Sequence, residues 1–246
     1  MFEVLLTVCL ASLRLGPTLA FAPPFTLVRL PTMVRATLAI ALSAVLQSFD
    51  GHGTIPAWSG NFAAAAISEL TLGITMALAL QLAFAMIATA GRALDIQAGF
   101  GLAYLIDPTT KAQMPLIGAL FTYAAAAVFF ATGGPQDVLA IFAASFAAMP
   151  LGSAMGPDAI QHVTSYLGTV SVLALGLVGL ATVVLFLIDL VVAMLSRTLP
   201  QMNVLLLGFQ IKTIATLLLL PATLGLSAAV ITSILRLALE AMARTV

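Results

Sequence analysis

The sequence predicts an all-α, polytopic membrane protein, and three observations predict it. Hydrophobic residues make up 62% of the 246-residue chain and charged residues only 7%, with a mean hydropathy of +1.17. A soluble domain needs a charged surface that so few ionisable groups cannot supply. Apolar runs on the scale of a bilayer span, about 20 residues, recur along the chain. Glycine and alanine recur within them, as at Ala124 to Ala127 and at Gly168, Gly176 and Gly179, which lets helix backbones approach closely in lipid. A single membrane domain over residues 1–246 is expected.

On that scale about six segments are expected as membrane helices, some of them broken or re-entrant. The first, Phe2 to Pro23, is expected to stay as a membrane segment and not to act as a cleaved leader. Glu3 stands where a basic n-region belongs, and Arg14 interrupts the apolar run. The second, Ala36 to Phe49, is too short to span comfortably. The third runs from Phe62 to Ala90, the fourth from Met114 to Ala131 and the fifth from Val163 to Leu195. The sixth, Val204 to Leu235, is longer than a span needs, and Pro221 is expected to break it because proline cannot complete the helical ladder. A further short run, Val138 to Met149, lies between Gly133-Gly134-Pro135 and Pro150-Leu151-Gly152 and reads as interfacial or re-entrant. Arg29, Arg35, Arg92, Lys111 and Arg197 fall in alternate connections, which places the N-terminus outside. Arg236 and Arg244 break that alternation, so the last segment is expected to fold back or to escape simple spanning.

Several function classes drop out. Nine basic and nine acidic residues give a formal charge of zero, so there is no basic stripe for nucleic acid. The single Cys9 cannot form an internal disulfide, and His52 and His162 have no metal-ligand spacing. H-E-x-x-H, G-x-S-x-G and a phosphate-binding loop are all missing. Gly99-Phe100-Gly101 lacks the third glycine of a dinucleotide fingerprint and follows a membrane helix. No catalytic, cofactor or metal site is expected, and Trp58 beside Pro56 reads as an interfacial anchor.

The informative residues are the charges inside apolar runs: Arg14, Glu69, Asp189 and Lys212. An ionisable group at that depth must face a partner group, a cavity or another subunit. Glu69 can pair with an arginine of this chain, touch a subunit or line an ion path. Asp189 lies about two helical turns before Arg197, too far for a direct pair on one regular helix. Lys212 can snorkel to an interface. The interruption from Ala90 to Pro115 reads either as a connection in water or as a closure. Gly99 and Gly101 permit tight bends, while Tyr104, Leu105, Ile106 and Met114 can shut a narrow pore by excluding water.

Three segments carry more than composition. They are LRLGPTLAFAPPFTLVRLPTMVRATLAI, with Arg14, Pro23, Pro31 and Arg35; AGRALDIQAGFGLAYLIDPTTKAQMP, from Ala90 to Pro115; and DLVVAMLSRTLPQMNVLLLGFQIK, from Asp189 to Lys212. Their spacing resembles the FliR family, flagellar export-gate subunits with counterparts in injectisome type III secretion. Arg197 through Val204, with Gly208, Phe209 and Lys212, is the most specific part; Ala90, Gly91, Gln97, Gly99, Asp107 and Pro108 come next.

The resemblance implies a non-enzymatic subunit of the flagellar type III export gate, in the inner membrane within the flagellar basal body. It implies FliP- and FliQ-like gate subunits and FlhB- and FlhA-like apparatus subunits as partners, membrane lipid around the chain, and unfolded flagellar proteins as cargo. It also implies a subunit partly raised out of the bilayer plane. Leu102 to Pro115 matches the family's channel plug, with Leu102, Tyr104, Leu105, Ile106, Asp107, Pro108 and Met114 as the plug residues. Arg14, Glu69, Asp189, Arg197, Pro200, Gln201, Asn203 and Lys212 are the implied subunit contacts. Gly73 follows Glu69 at the family's spacing, but Ala77 stands where another glycine is common, which puts helix packing there in question. No hydrophilic extension follows Val246, so no fusion to the specificity-switch subunit is expected. The alternatives are the equivalent injectisome subunit and, in a different class, a secondary transporter relaying ions through Glu69, Asp189 and Lys212.

Overall fold

The computed structural model describes residues 2–28, 30–49, 61–100, 115–153, 156, 159–198 and 204–245. Among the described residues every regular element is a helix: α1 (Phe2–Phe21), α2 (Thr32–Phe49), α3 (Phe62–Gln97), α4 (Leu116–Ala131), α5 (Gly134–Ala148), α6 (Ala159–Thr198) and α7 (Val204–Arg244). By length and composition α1, α3, α6 and α7 can cross a membrane, and α4 with α5 forms a bent pair that makes a fifth span if counted once. Among the described residues each of the six expected segments is a helix, four or five spans result by length and composition, and α2 is the shorter apolar helix expected.

Local chemistry sets the helix ends. The Asn61 side-chain oxygen accepts the Ala63 N–H at 3.0 Å, the N-cap bond that opens α3. Gly133 takes φ 83° as the N-cap of α5, Pro135 lies in the first turn and Asp137 follows, where a carboxylate favours the helix N-terminus. Gly134 and Pro135, expected to lie outside this short helix, therefore form its start. The third segment also runs further than expected, to Gln97 instead of Ala90, because Arg92 lies on an exposed face and Asp95 is buried in a capping role.

Pro221 does not break the last helix, which continues from Val204 to Arg244. The proline removes one hydrogen bond of a 41-residue helix and lies on its exposed side. The Thr223 hydroxyl adds bonds to the Leu219 and Leu220 carbonyls at 2.7 and 3.0 Å in the same turn. The carbonyl that the proline frees is that of Leu217, one turn earlier, a residue on the exposed side of the helix.

Helices α3, α6 and α7 contain 36, 40 and 41 residues. At about 1.5 Å per residue they are roughly 54 to 62 Å long, against a hydrocarbon core of about 30 Å. Even a tilt of about 40° leaves more than a core's thickness. Each long helix therefore has turns that lie beyond the hydrocarbon.

The chain divides into two compact units, each assembled from discontinuous stretches. The first comprises Met1–Ala83, Phe129–Thr169 and Leu235–Val246. Leu15, Met76, Leu80, Phe129 and Phe142 are its largest buried apolar side chains. Here α1 and α3 cross at Gly73, where a Cβ would lie 2.3 Å from the Arg14 carbonyl oxygen and 2.8 Å from that of Leu13. Pro17, inside α1, removes the N–H that would have bonded Leu13, so α3 closes over a freed carbonyl. Ala77, one turn on, is buried at 3% exposure; alanine fits where the resemblance put packing in question. Arg35 donates to the carbonyls of Ala20 at 3.2 Å and Val28 at 3.1 Å, placing a cation at the C-terminal end of α1.

The second unit comprises Phe84–Val128 and Val170–Ile234. Phe84, Ile87, Leu94, Ile117, Phe121 and Leu185 are buried in it. In it α3 and α4 approach closely: a Cβ on Gly91 would lie 2.6 Å from the Gly118 Cα.

Candidate functional site

The first polar cluster is built around Arg14 on α1. Its Nε and Nη2 donate to the two carboxylate oxygens of Glu69 on α3, at 2.7 and 2.9 Å. Nη1 donates to the Ser145 carbonyl at 2.9 Å and to the Ser145 hydroxyl oxygen at 3.2 Å, and Nη2 also donates to the Met149 carbonyl at 3.1 Å. These contacts use all five N–H donors of a guanidinium. The Phe146 ring lies under Cζ, 4.7 Å from its centroid. Glu69 completes its own valences by accepting the Gly152 N–H at 2.8 Å, which the left-handed φ of 83° at Gly152 permits.

Arg14 and Glu69 are 0% and 1% exposed. The intrachain pairing open to Glu69 in the sequence is the one observed, and Arg14 is its partner. Neither side chain reaches the surface of this chain: the two charges neutralise each other, and Arg14 also satisfies carbonyls at the end of α5.

The second cluster centres on Asp95 near the end of α3. Its carboxylate, at 1% exposure, accepts the backbone N–H groups of Ile117 and Gly118, both at 3.0 Å. Its carbonyl accepts the Phe100 N–H at 3.0 Å while Gly99 donates to Ile96 at 3.1 Å. With Gly99 at φ 90°, this is the paired bonding of a Schellman helix end. The Phe209 ring covers Gly99, 2.9 Å from where a Cβ would stand.

The third lies where α6 meets α7. Lys212 pairs with Asp189, with 19% and 43% of their side chains exposed. Gly208 packs on Val192, 3.1 Å from its Cγ1 to a Cβ built there, and Gln97 donates from α3 to the Thr182 carbonyl at 2.9 Å. The partner that sequence spacing denied Asp189 on its own helix is thus supplied by the next one. Arg197 is exposed in the last turn of α6.

Leu102, Tyr104, Leu105, Ile106, Asp107, Pro108 and Met114 lie outside the described residues, as do Pro200, Gln201 and Asn203. Asp95, Ser145 and Gly152 were not singled out in the sequence. The signal for Asp95 was available in part, since an acidic residue preceded Gly99 by one turn and a proline stood at the next helix start. No group of three or more His, Cys, Asp or Glu among the described residues can hold a metal ion.

The fold and these clusters define a polytopic helical membrane protein whose embedded charges lock helices and helix ends. The family model described as Bacterial export proteins, family 1, matches residues 5–238, and the chain belongs to that family. It is 28% identical over 232 residues to the flagellar biosynthetic protein FliR of Aquifex aeolicus, covering 91% of this chain and 87% of that one. The FliR protein of Escherichia coli is 23% identical, over 88% and 83% of the two chains. The secretion system apparatus protein SsaT of Salmonella typhimurium is 26% identical over 61% and 59%.

Proposed function

We propose that this chain is a non-enzymatic subunit of the flagellar type III protein export gate, set in the inner membrane within the flagellar basal body. The observation that carries the reading is the likeness to a flagellar biosynthetic protein along 91% of the chain. The likeness to a secretion system apparatus protein extends along 61%, which favours the flagellar system over the injectisome. FliP- and FliQ-like subunits are its gate partners, FlhB- and FlhA-like subunits its neighbours in the apparatus, and unfolded flagellar proteins the cargo.

The physical features fit a part of a larger assembly. Helices α6 and α7 present large apolar side chains outward, among them Val172 at 70%, Leu175 at 65%, Phe186 at 61% and Leu218 at 75% exposure. Turns of such helices that lie beyond the hydrocarbon need protein to cover them. On this reading Arg197, Pro200, Gln201 and Asn203 are subunit contacts, as are Asp189 and Lys212, whose ion pair is part-exposed. Leu102 to Pro115 seals the resting channel, with Tyr104, Leu105 and Ile106 excluding water.

The test is co-expression. Produced alone in mild detergent, the chain should degrade or aggregate; produced with its FliP- and FliQ-like neighbours, it should purify as one complex. A stable, monodisperse monomer of the chain alone would contradict the proposal.

A further inference from the structure

We propose that a groove between the start of α6 and the end of α7 binds the headgroup of an amine-bearing, zwitterionic phospholipid. The groove has a volume of about 120 Å³, with His162, Ser165, Tyr166 and Thr169 on the α6 wall and Glu240 and Arg244 on the α7 wall. Both walls belong to the first unit.

The groove lies where a bilayer places its headgroups. On α7 no charged residue occurs between Lys212 and Arg236, a run of about 23 residues that is about 34 Å long at about 1.5 Å per residue. That length matches a hydrocarbon core of about 30 Å. Arg236, Glu240 and Arg244 follow at four-residue spacing, all exposed and on one face of the helix, so the groove begins about one turn past the apolar boundary. On α6 the first charged residue is Asp189, the partner of Lys212 at the opposite end of the run. Arg236 and Arg244, which break the alternation of basic connections, thus stand at the depth where cationic side chains meet lipid phosphate.

The free hydrogen-bonding groups select the headgroup. Arg244 approaches Glu240 only to 3.9 Å, beyond hydrogen-bond length, so its guanidinium keeps its donors. The His162 ring on the facing wall is exposed. The hydroxyls of Ser165, Tyr166 and Thr169 already donate to the carbonyls of His162, Ala79 and Ser165, at 2.9, 2.8 and 3.3 Å, which leaves their oxygens as acceptors. A phosphodiester needs donors and an ammonium needs acceptors. Arg244 and His162 supply the first; Glu240 and the Ser165 and Thr169 oxygens supply the second. A headgroup without an amine would set its phosphate beside Glu240 with nothing to neutralise the carboxylate, and an acidic segment of a partner protein would do the same.

The experiment uses the full chain, purified in mild detergent with the co-expressed neighbours it retains. It is equilibrated with mixed micelles holding equal amounts of phosphatidylethanolamine and phosphatidylglycerol, purified again, and its retained lipid counted by mass spectrometry. The wild type should hold phosphatidylethanolamine in excess. Arg244→Gln should lose one phosphatidylethanolamine per chain, Glu240→Gln should lose the preference over phosphatidylglycerol, and Arg236→Gln, outside the groove, should match the wild type. A wild type with no excess of phosphatidylethanolamine overturns the proposal without any variant, as does unchanged retention in both groove variants. Loss of both lipids alike in Arg244→Gln, with Glu240→Gln unchanged, overturns it in favour of a site for any phosphate. Loss of a neighbouring subunit from Arg244→Gln with its lipid unchanged overturns it in favour of a protein contact.

Discussion

Arg14 and Glu69 meet across α1 and α3 through two hydrogen bonds, of 2.7 and 2.9 Å, in a site where their side chains are 0% and 1% exposed. The pair ties together more than two helices. Arg14 also binds Ser145 and Met149 at the end of α5, and Glu69 binds Gly152 in the turn that follows. A buried pair is not by itself a large source of stability, but leaving one half of it alone is costly.

Arg14→Ala and Glu69→Ala should each destabilise the first unit by about 3–5 kcal/mol, because each leaves an uncompensated buried charge. Replacing both by Met should cost less than the sum of the single changes, with a residual loss from the unpartnered Met149 carbonyl and Gly152 N–H. Thermal unfolding of the purified complex checks this. Additive losses would mean that the two side chains do not act as a pair.

The crossing at Gly73 predicts a sharp contrast between glycines. Gly73→Ala places a Cβ 2.3 Å from the Arg14 carbonyl oxygen, whereas a Cβ at Gly16 meets nothing within 4 Å. Gly73→Ala should reduce complex yield severely. Gly16→Ala should be neutral or stabilise by up to about 1 kcal/mol, from helix propensity. Equal yields from the two variants would show that the helices can part without cost.

At the α6–α7 contact, Lys212→Ala leaves Asp189 unpaired, and Asp189→Ala leaves Lys212 unpaired. Each should weaken the α6–α7 contact, and assembly with it, by about 0.2–1 kcal/mol, because the pair is part-exposed. Exchanging the two, as Asp189→Lys with Lys212→Asp, should recover part of the loss. Co-purification with the neighbouring subunits is the readout. Wild-type yield in both single variants would show the charges to be solvated and dispensable.

Replacing Tyr104, Leu105 and Ile106 by Gly should leave the complex assembled and make it leaky to small ions, since bulky apolar groups in a lumen exclude water. The same variant expressed without partner subunits should show no leak, because no channel forms. An assembled complex with unchanged permeability would return the segment to the role of a connection in water.

The helical class and most segment positions were legible because apolar runs and glycine-rich faces are local properties. The depth of Arg14 and Glu69 was legible for the same reason. Their pairing was not, since nothing in a residue's neighbours names a partner 55 positions away. Asp95 was passed over because ALDIQ resembles the start of a polar loop; only the docking of α4 on α3 shows the carboxylate serving a helix N-terminus. Pro221 shows the opposite failure, a local rule stated correctly and overridden by a long helix that tolerates one missing bond. The pairing of Lys212 with Asp189 lay in tertiary structure, although both charges stood out in the sequence.

A chain with this likeness to flagellar biosynthetic proteins should be needed for flagellar protein export. The most direct test is to delete the gene in the source organism and measure filament protein outside the cell, with a plasmid copy as the control. Export and motility should be lost, and the plasmid should restore both. Undiminished export from the deletion strain would contradict this expectation.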